Sequence, residues 1–89
     1  MSLDLLLQES IHQAVKKGRH TVNLKDGLII DMRMQNACIL ILTLYRINKL
    51  PSITEWETIL KYWPWPINNK PITSGYTLSA SLPIHPKFL

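Results

Sequence analysis

Apolar residues recur at helical spacing at the start of the chain. Leu3, Leu7 and Ile11 follow one another at intervals of four, and Leu6 widens the stripe that they form. Such a stripe predicts an amphipathic helix that packs one face on a core. Two lysines then precede Gly18, a residue type that commonly ends a helix in the left-handed conformation. The pattern predicts a helix over about residues 3–17.

The next part of the chain has the two-residue period of β-strands. Segments 20–24 and 28–34 flank the pair Asp26 and Gly27, which favours a tight turn between two strands. In the second segment, apolar residues alternate with charged ones, as in a strand with one exposed face. We therefore predict a β-hairpin.

A third predicted strand, within residues 37–46, is largely apolar on both faces. Leucines and Cys38 occupy one face, whereas Ile39, Ile41 and Tyr45 occupy the other. A strand of this kind needs cover on both sides and lies in the interior of a sheet. We expect Cys38 to be a buried, unreactive thiol.

A second helix begins after Ser52, which forms the capping-box pattern with Glu55. Pro64 ends this helix, because a proline disfavours helical backbone in the residue before it. One face of the helix carries apolar residues at intervals of three and four, and we expect this stripe to pack on the sheet as core. The stripe comprises Ile53, Trp56, Leu60 and Trp63.

The last part of the chain combines a loop, a strand and a tail. Residues 64–75 are rich in proline and asparagine and predict a loop, whereas 76–82 alternate as a strand does. Residues 83–89 are expected to form a loosely held terminal segment. The fold class is therefore α+β, with a three-stranded antiparallel meander, a fourth strand and two helices in the order α-β-β-β-α-β. The fourth strand would pair with the third; otherwise an outside partner would occupy that position.

Composition limits the chain to one domain in a reducing compartment. Its 89 residues fit a single domain, residues 1–89, and its one cysteine excludes an intrachain disulfide. The start of the chain lacks the positive segment of a signal peptide, and the longest apolar run is too short to span a bilayer. We expect a cytoplasmic protein without a membrane association.

Catalytic and metal-binding motifs are absent from the sequence. The three histidines do not have the spacing of metal ligands, and no glycine-rich phosphate loop is present. The carboxylates fit local structural roles. We expect a protein that is not an enzyme and that needs no cofactor or metal.

The first functional hypothesis is protein–protein interaction, either self-association or docking on a larger assembly. A chain this short buries a limited fraction of its own surface, and its third strand is apolar on both faces. Trp65 lies between two prolines, where it either folds back over the core or projects as a rigid anchor. The candidate contact residues are Ile39, Ile41, Tyr45 and Trp65. If one helix instead covers each face of the sheet, no apolar surface remains for a partner.

The alternative is nucleic-acid binding, which a net charge of +4 favours without requiring it. The α-β-β-β-α order resembles the topology of double-stranded-RNA-binding domains, which implies a nucleic-acid interface. Those domains have a lysine-rich start to the second helix, whereas this chain has Ser52, Thr54, Glu55 and Glu57 there. The residues that would contact phosphate are Lys16, Lys17, Arg19, Lys25, Arg33 and Arg46.

Overall fold

The computed structural model describes residues 2–89 and has the predicted α+β architecture. Helix α1 spans Leu3–Lys17 and α2 spans Ile53–Lys61. The element order is α-β-β-β-α-β-β, with one strand more than the sequence predicted. The strands are β1 (Arg19–Asn23), β2 (Ile29–Met34), β3 (Ile39–Tyr45), β4 (Ile72–Ser74) and β5 (Thr77–Pro83).

The strands form one antiparallel sheet in the order β1-β2-β3-β5-β4. Strand β3 pairs with β5 along its whole length, from Ile39 opposite Pro83 to Tyr45 opposite Thr77. The prediction that a late strand would make the third strand central is therefore confirmed. The additional strand β4 forms a hairpin with β5 around Gly75, whose φ of 58° suits a residue without a side chain.

The predicted hairpin between β1 and β2 is confirmed, although its turn is longer than a two-residue turn. Lys25–Gly27 form a short 3-10 turn, within which Asp26 and Gly27 have φ values of 59° and 72°. Both values lie in the left-handed region that aspartate tolerates and glycine adopts freely. The turn positions β1 against β2 from Arg19 opposite Arg33 to Asn23 opposite Ile29.

Both helices contribute to a single core on one face of the sheet. Leu7 and Ile11 of α1 and Trp56 of α2 are almost completely buried in it. The alternative in which each helix covers a different face is therefore not the arrangement of this chain, because both amphipathic faces pack on the same side. The sheet residues that belong to this core are Ile30, Met32, Leu40, Leu42, Leu44, Leu78, Ala80 and Leu82.

Helix α2 is anchored at its start by the predicted capping box. The Ser52 hydroxyl accepts a hydrogen bond from the Glu55 N–H at 3.1 Å, and the Glu55 carboxylate accepts one from the Ser52 N–H at 2.9 Å. The buried stripe differs from the predicted one, because Ile59 is buried whereas Ile53 is 54% exposed. The helix is thus rotated so that Trp56 and Ile59 face the sheet, and Trp63, which follows the helix, is also buried.

The segment that follows α2 and the end of the chain close one end of the core. Trp63 and Trp65 pack edge to face with ring centroids 5.4 Å apart, and Phe88 lies 5.2 Å from Trp65. Ile84 and Phe88 are buried, and the Ile84 N–H donates to the Cys38 carbonyl at 2.9 Å. Ile84 and Phe88 thus attach the end of the chain to the core, although Leu89 is 62% exposed, whereas the sequence predicted a loosely held tail over residues 83–89.

No helix within residues 2–89 combines the length and the apolar character that crossing a bilayer requires.

Candidate interaction surface

The sheet has a second face that neither helix contacts, which we call the open face. Cross-strand neighbours share a face, and adjacent residues of a strand lie on opposite faces. The strand register therefore identifies every member of this face. The open face comprises Arg19, Thr21 and Asn23 of β1; Ile29, Asp31 and Arg33 of β2; Ile39, Ile41, Thr43 and Tyr45 of β3; Ile72 and Ser74 of β4; and Thr77, Ser79, Ser81 and Pro83 of β5.

Three of the four predicted contact residues lie together on this face. Ile39, Ile41 and Tyr45 follow one another along β3, the middle strand, and each is only half-buried. Two further isoleucines lie on the open face, namely Ile29 on β2 and Ile72 on β4. Neither was predicted as a contact residue from the sequence. Ile29 could have been found from its alternation with Asp31. Ile72, which is 73% exposed, gave no such signal, because its strand was predicted as a loop.

Trp65, the fourth predicted contact residue, does not belong to the open face. Its indole is 8% exposed and packs between Trp63 and Phe88 on the covered side of the sheet. The Trp65 side chain therefore folds back over the core and does not project from the surface. A side chain in this position presents little area to a partner, so we leave Trp65 out of the interaction surface.

Polar contacts order the side chains of the open face. The Asp31 Oδ1 atom accepts hydrogen bonds from the Arg19 Nε–H at 2.9 Å and from the Thr21 hydroxyl at 2.8 Å. On the other side of β3, the Ser81 hydroxyl donates to the Gln35 side chain at 3.2 Å. These bonds fix the positions of charged and hydroxyl side chains on both sides of β3.

Charge is distributed unevenly across the open face. Strands β1 and β2 carry all its charged residues, namely Arg19, Asp31 and Arg33. Strands β4 and β5 contribute hydroxyl groups, a proline and Ile72 but no charge. The open face therefore has a charged half and an uncharged half, with the apolar residues of β3 between them.

The six basic residues proposed as phosphate contacts divide between two ends of the molecule. Arg19 and Arg33 are directly opposite each other on the open face, and Lys16 and Lys17 end the adjoining helix. Lys25 lies at the other end of the hairpin. Arg46 lies at that end as well, where it contacts the hairpin turn.

Arg46 forms a bidentate ion pair with the carboxylate of Glu55, with Nη1 3.0 Å from Oε1. Its Nε–H also donates to the Asp26 carbonyl at 2.9 Å, which ties the hairpin turn to the start of α2. The hydrogen bonds from Arg46, together with the Ser52 N–H, lower the pKa of Glu55 from 4.5 to about 2. Arg46 thus stabilises the fold. To bind Arg46, a phosphate would have to displace the Glu55 carboxylate.

Cys38 lies in a different environment from the one that the sequence predicted. Cys38 is exposed in the turn between β2 and β3, where its N–H and that of Ile39 donate to the Asn36 side chain. The expectation of a buried thiol is wrong, because the strand begins one residue later. Within residues 2–89, no group of three His, Cys, Asp or Glu residues is placed to hold a metal ion.

A groove of about 400 Å³ lies on the other side of the molecule, between the two helices and the hairpin turn. Its wall is largely apolar, and its mouth includes Lys25, Asp26 and Glu55. The apolar lining consists of Leu3, Leu6, Leu24, Leu28 and Ile59.

Similarity to known proteins adds no residue to these surfaces. No protein-family model matches the chain, and no curated protein or solved structure matches it.

Proposed function

We propose that this chain is a non-catalytic accessory or regulatory protein that acts by binding a protein surface through its open face. The proposal rests above all on Ile41, which lies at the middle of a sheet face that neither helix contacts. Ile39 and Tyr45 flank it on the same strand. Apolar side chains at the centre of a patch, with polar groups around them, are the usual composition of a protein-binding surface.

The location that we propose is the cytoplasm. Cys38 is a free and exposed thiol, which persists most readily where the surroundings keep thiols reduced. No cofactor or metal enters the proposed function.

Site-specific photo-crosslinking in the native cells tests the proposal. A photoreactive residue at position 41 should form crosslinks to protein, because the proposed contact places that position in the interface. The matched control places the same residue at position 53, where Ile53 is exposed on α2 on the opposite side of the domain. Equal yields at the two positions, or no protein crosslinks at position 41, would refute the proposal.

Nucleic-acid binding is the second candidate, and one observation favours it. Arg19 and Arg33 lie side by side on the open face, close to the lysines that end α1. Against it, Arg19 is bonded to Asp31, and Arg46 is bonded to Glu55. The protein proposal therefore has the stronger support.

A salt titration distinguishes the two candidates. Short single- and double-stranded nucleic acids are added to the protein, and fluorescence anisotropy is followed over a series of salt concentrations. A phosphate interface would show affinity that falls steeply with salt and that is lost in the Lys16→Glu, Lys17→Glu double variant. No binding at low salt would remove the nucleic-acid candidate and leave the protein proposal as it stands.

A further inference from the structure

Building on the proposed function, we infer that the partner of the open face is a second copy of this chain. The two copies pack face to face as a β-sandwich with a two-fold axis that runs parallel to β3. The inference deepens the proposed function, because it uses the same face and names its occupant. Three properties of the face support it: its extent, its symmetry and its distribution of charge.

The area of the open face fits a partner that presents a whole sheet better than one that presents a single peptide segment. Strands are spaced about 4.8 Å apart and rise about 3.3 Å per residue, which gives the open face roughly 450 Å² in projection. Two such faces would bury about 900 Å² in total, which is the size of a weak and reversible interface. One added strand or helix would cover only a part of a surface of this size. A second five-stranded sheet covers all of it.

The strand order gives the face a natural centre. In the order β1-β2-β3-β5-β4, two strands lie on each side of β3. A two-fold axis along β3 places that strand over its own copy, with Ile41 facing Ile41 and Tyr45 facing Tyr45. It also places β2 over β5 of the other copy, and β1 over β4. Homodimers are most often built around such an axis, and sheets in sandwiches pack with their strands nearly aligned.

The distribution of charge selects this axis. The charged half of one copy then faces the uncharged half of the other, so that Arg33 lies over Ser81 and Asp31 over Ser79. These serines offer hydroxyl groups that can accept from or donate to the charged groups. Lys70, which precedes β4, is exposed at the rim of the single chain.

The other face-to-face arrangement is electrostatically worse. An axis perpendicular to the strands would place β2 over β2 and β1 over β1. The arginines of both copies would then lie in the same half of the interface, together with both Asp31 carboxylates. Groups of like charge brought together in a partly dehydrated interface repel one another, which disfavours this packing.

Sedimentation equilibrium over protein concentrations from about 1 µM to about 1 mM tests self-association. We expect a monomer–dimer equilibrium for the wild type. Ile41→Glu should weaken the dimer by tenfold or more, because it buries a carboxylate at the centre of the interface. Ile53→Glu, the same change on the exposed side of α2, should leave the equilibrium constant unchanged. Circular dichroism verifies that both variants are folded.

A charge substitution at Ser81 tests the orientation of the copies. Ser81→Glu should strengthen the dimer, since the new carboxylate faces Arg33 of the other copy, and Ser81→Arg should weaken it. Both variants lose the same hydrogen bond to Gln35, so the difference between them reports the sign of the charge alone. The difference should shrink as salt is added. Equal effects of the two substitutions would overturn the proposed axis.

The outcomes separate this inference from the proposed function. A wild type that stays monomeric at every concentration, with crosslinks from position 41 to a different protein, would overturn the second copy as partner and leave the open face as a binding surface. A monomer without protein crosslinks at position 41 would overturn both. A dimer that Ile41→Glu and Ile53→Glu weaken equally would show that the copies associate elsewhere, and it would also overturn the inference.

Discussion

Ile41 and Leu42 are neighbours on the middle strand, yet they belong to two different regions of the molecule. Leu42 lies under the helices with none of its surface exposed, whereas Ile41 lies half-buried on the open face. Met32 and Ala80 flank Leu42 across the strands, and Arg33 and Ser81 flank Ile41. One face of the sheet therefore joins a continuous apolar core, whereas the other mixes apolar residues with hydroxyl groups and charges.

The difference between the two faces separates the residues that stabilise the fold from those that the proposed function would use. Burial of apolar area against the helices is the main source of folding free energy in a domain of this size. The open face gains little of that energy in a single chain, so its residues can be changed without loss of the fold. This is the property expected of a surface whose apolar residues are present for contact with a partner.

The largest expected difference in stability is the one between alanine substitutions at Leu42 and at Ile41. Leu42→Ala removes a buried side chain and leaves a cavity, which should lower the free energy of unfolding by about 2–5 kcal/mol. Ile41→Ala should cost less than about 1 kcal/mol in the monomer, because its side chain is partly in water already. Urea unfolding, followed by tryptophan fluorescence at low protein concentration, measures both values. Similar losses would mean that Ile41 is as well covered in solution as Leu42.

The sequence predicted the elements whose signals are local. The capping residues of α2, the Asp26 and Gly27 turn and the alternation in β2 each act through a few neighbouring residues, so their patterns could be interpreted without a tertiary structure. The apolar faces of β3 likewise predicted its central position. The strand β4 was missed because its three residues follow a proline-rich segment, and it exists only through pairing with β5.

Three residues of the candidate surface were predicted from the sequence, but their exposure was not. Alternation placed Ile39, Ile41 and Tyr45 on one face of the third strand, yet it could not show on which side the helices pack. That choice depends on the connections between elements and on the packing of Trp56, Ile59 and Trp63 against the sheet. For the same reason, the burial of Trp65 depends on Phe88, which lies far along the chain.

The second prediction concerns the ion pair on the covered side of the molecule. In the folded chain the pKa of Glu55 is lowered from 4.5 to about 2, so the charged carboxylate contributes stability above its ordinary pKa. This contribution should disappear as the pH falls from about 4.5 toward about 2. Because the side chain of Glu55 is 33% exposed, solvent screening limits the contribution to about 1 kcal/mol.

Glu55→Gln tests this assignment, because glutamine preserves the capping box while removing the charge. The variant should be less stable than the wild type at pH 7 and should show a smaller loss of stability between pH 5 and pH 2. Glu57→Gln is the matched control on the same helix, since Glu57 is exposed and takes no part in the ion pairs of residues 2–89. Thermal unfolding at a series of pH values measures all three proteins. Identical pH profiles for Glu55→Gln and the wild type would contradict the role of the ion pair.

The smallest effect should come from the matching ion pair on the open face. Asp31→Asn keeps an oxygen that can accept from Thr21 and Arg19 but removes the charge. The Asp31 side chain is only 11% exposed, but that of Arg19 is 64% exposed, so water around the guanidinium screens the charge–charge contribution, and the loss should be no more than about 0.5 kcal/mol. Unfolding of the dilute monomer in low and high salt measures it, and added salt should reduce the difference from the wild type further. A loss as large as that of Glu55→Gln, and insensitive to salt, would mean that water does not reach the Arg19 guanidinium, which is exposed in the single chain. The open face would then be covered in solution even at low protein concentration. The difference in exposure between the two faces of the sheet would exist only in a single chain without its partner.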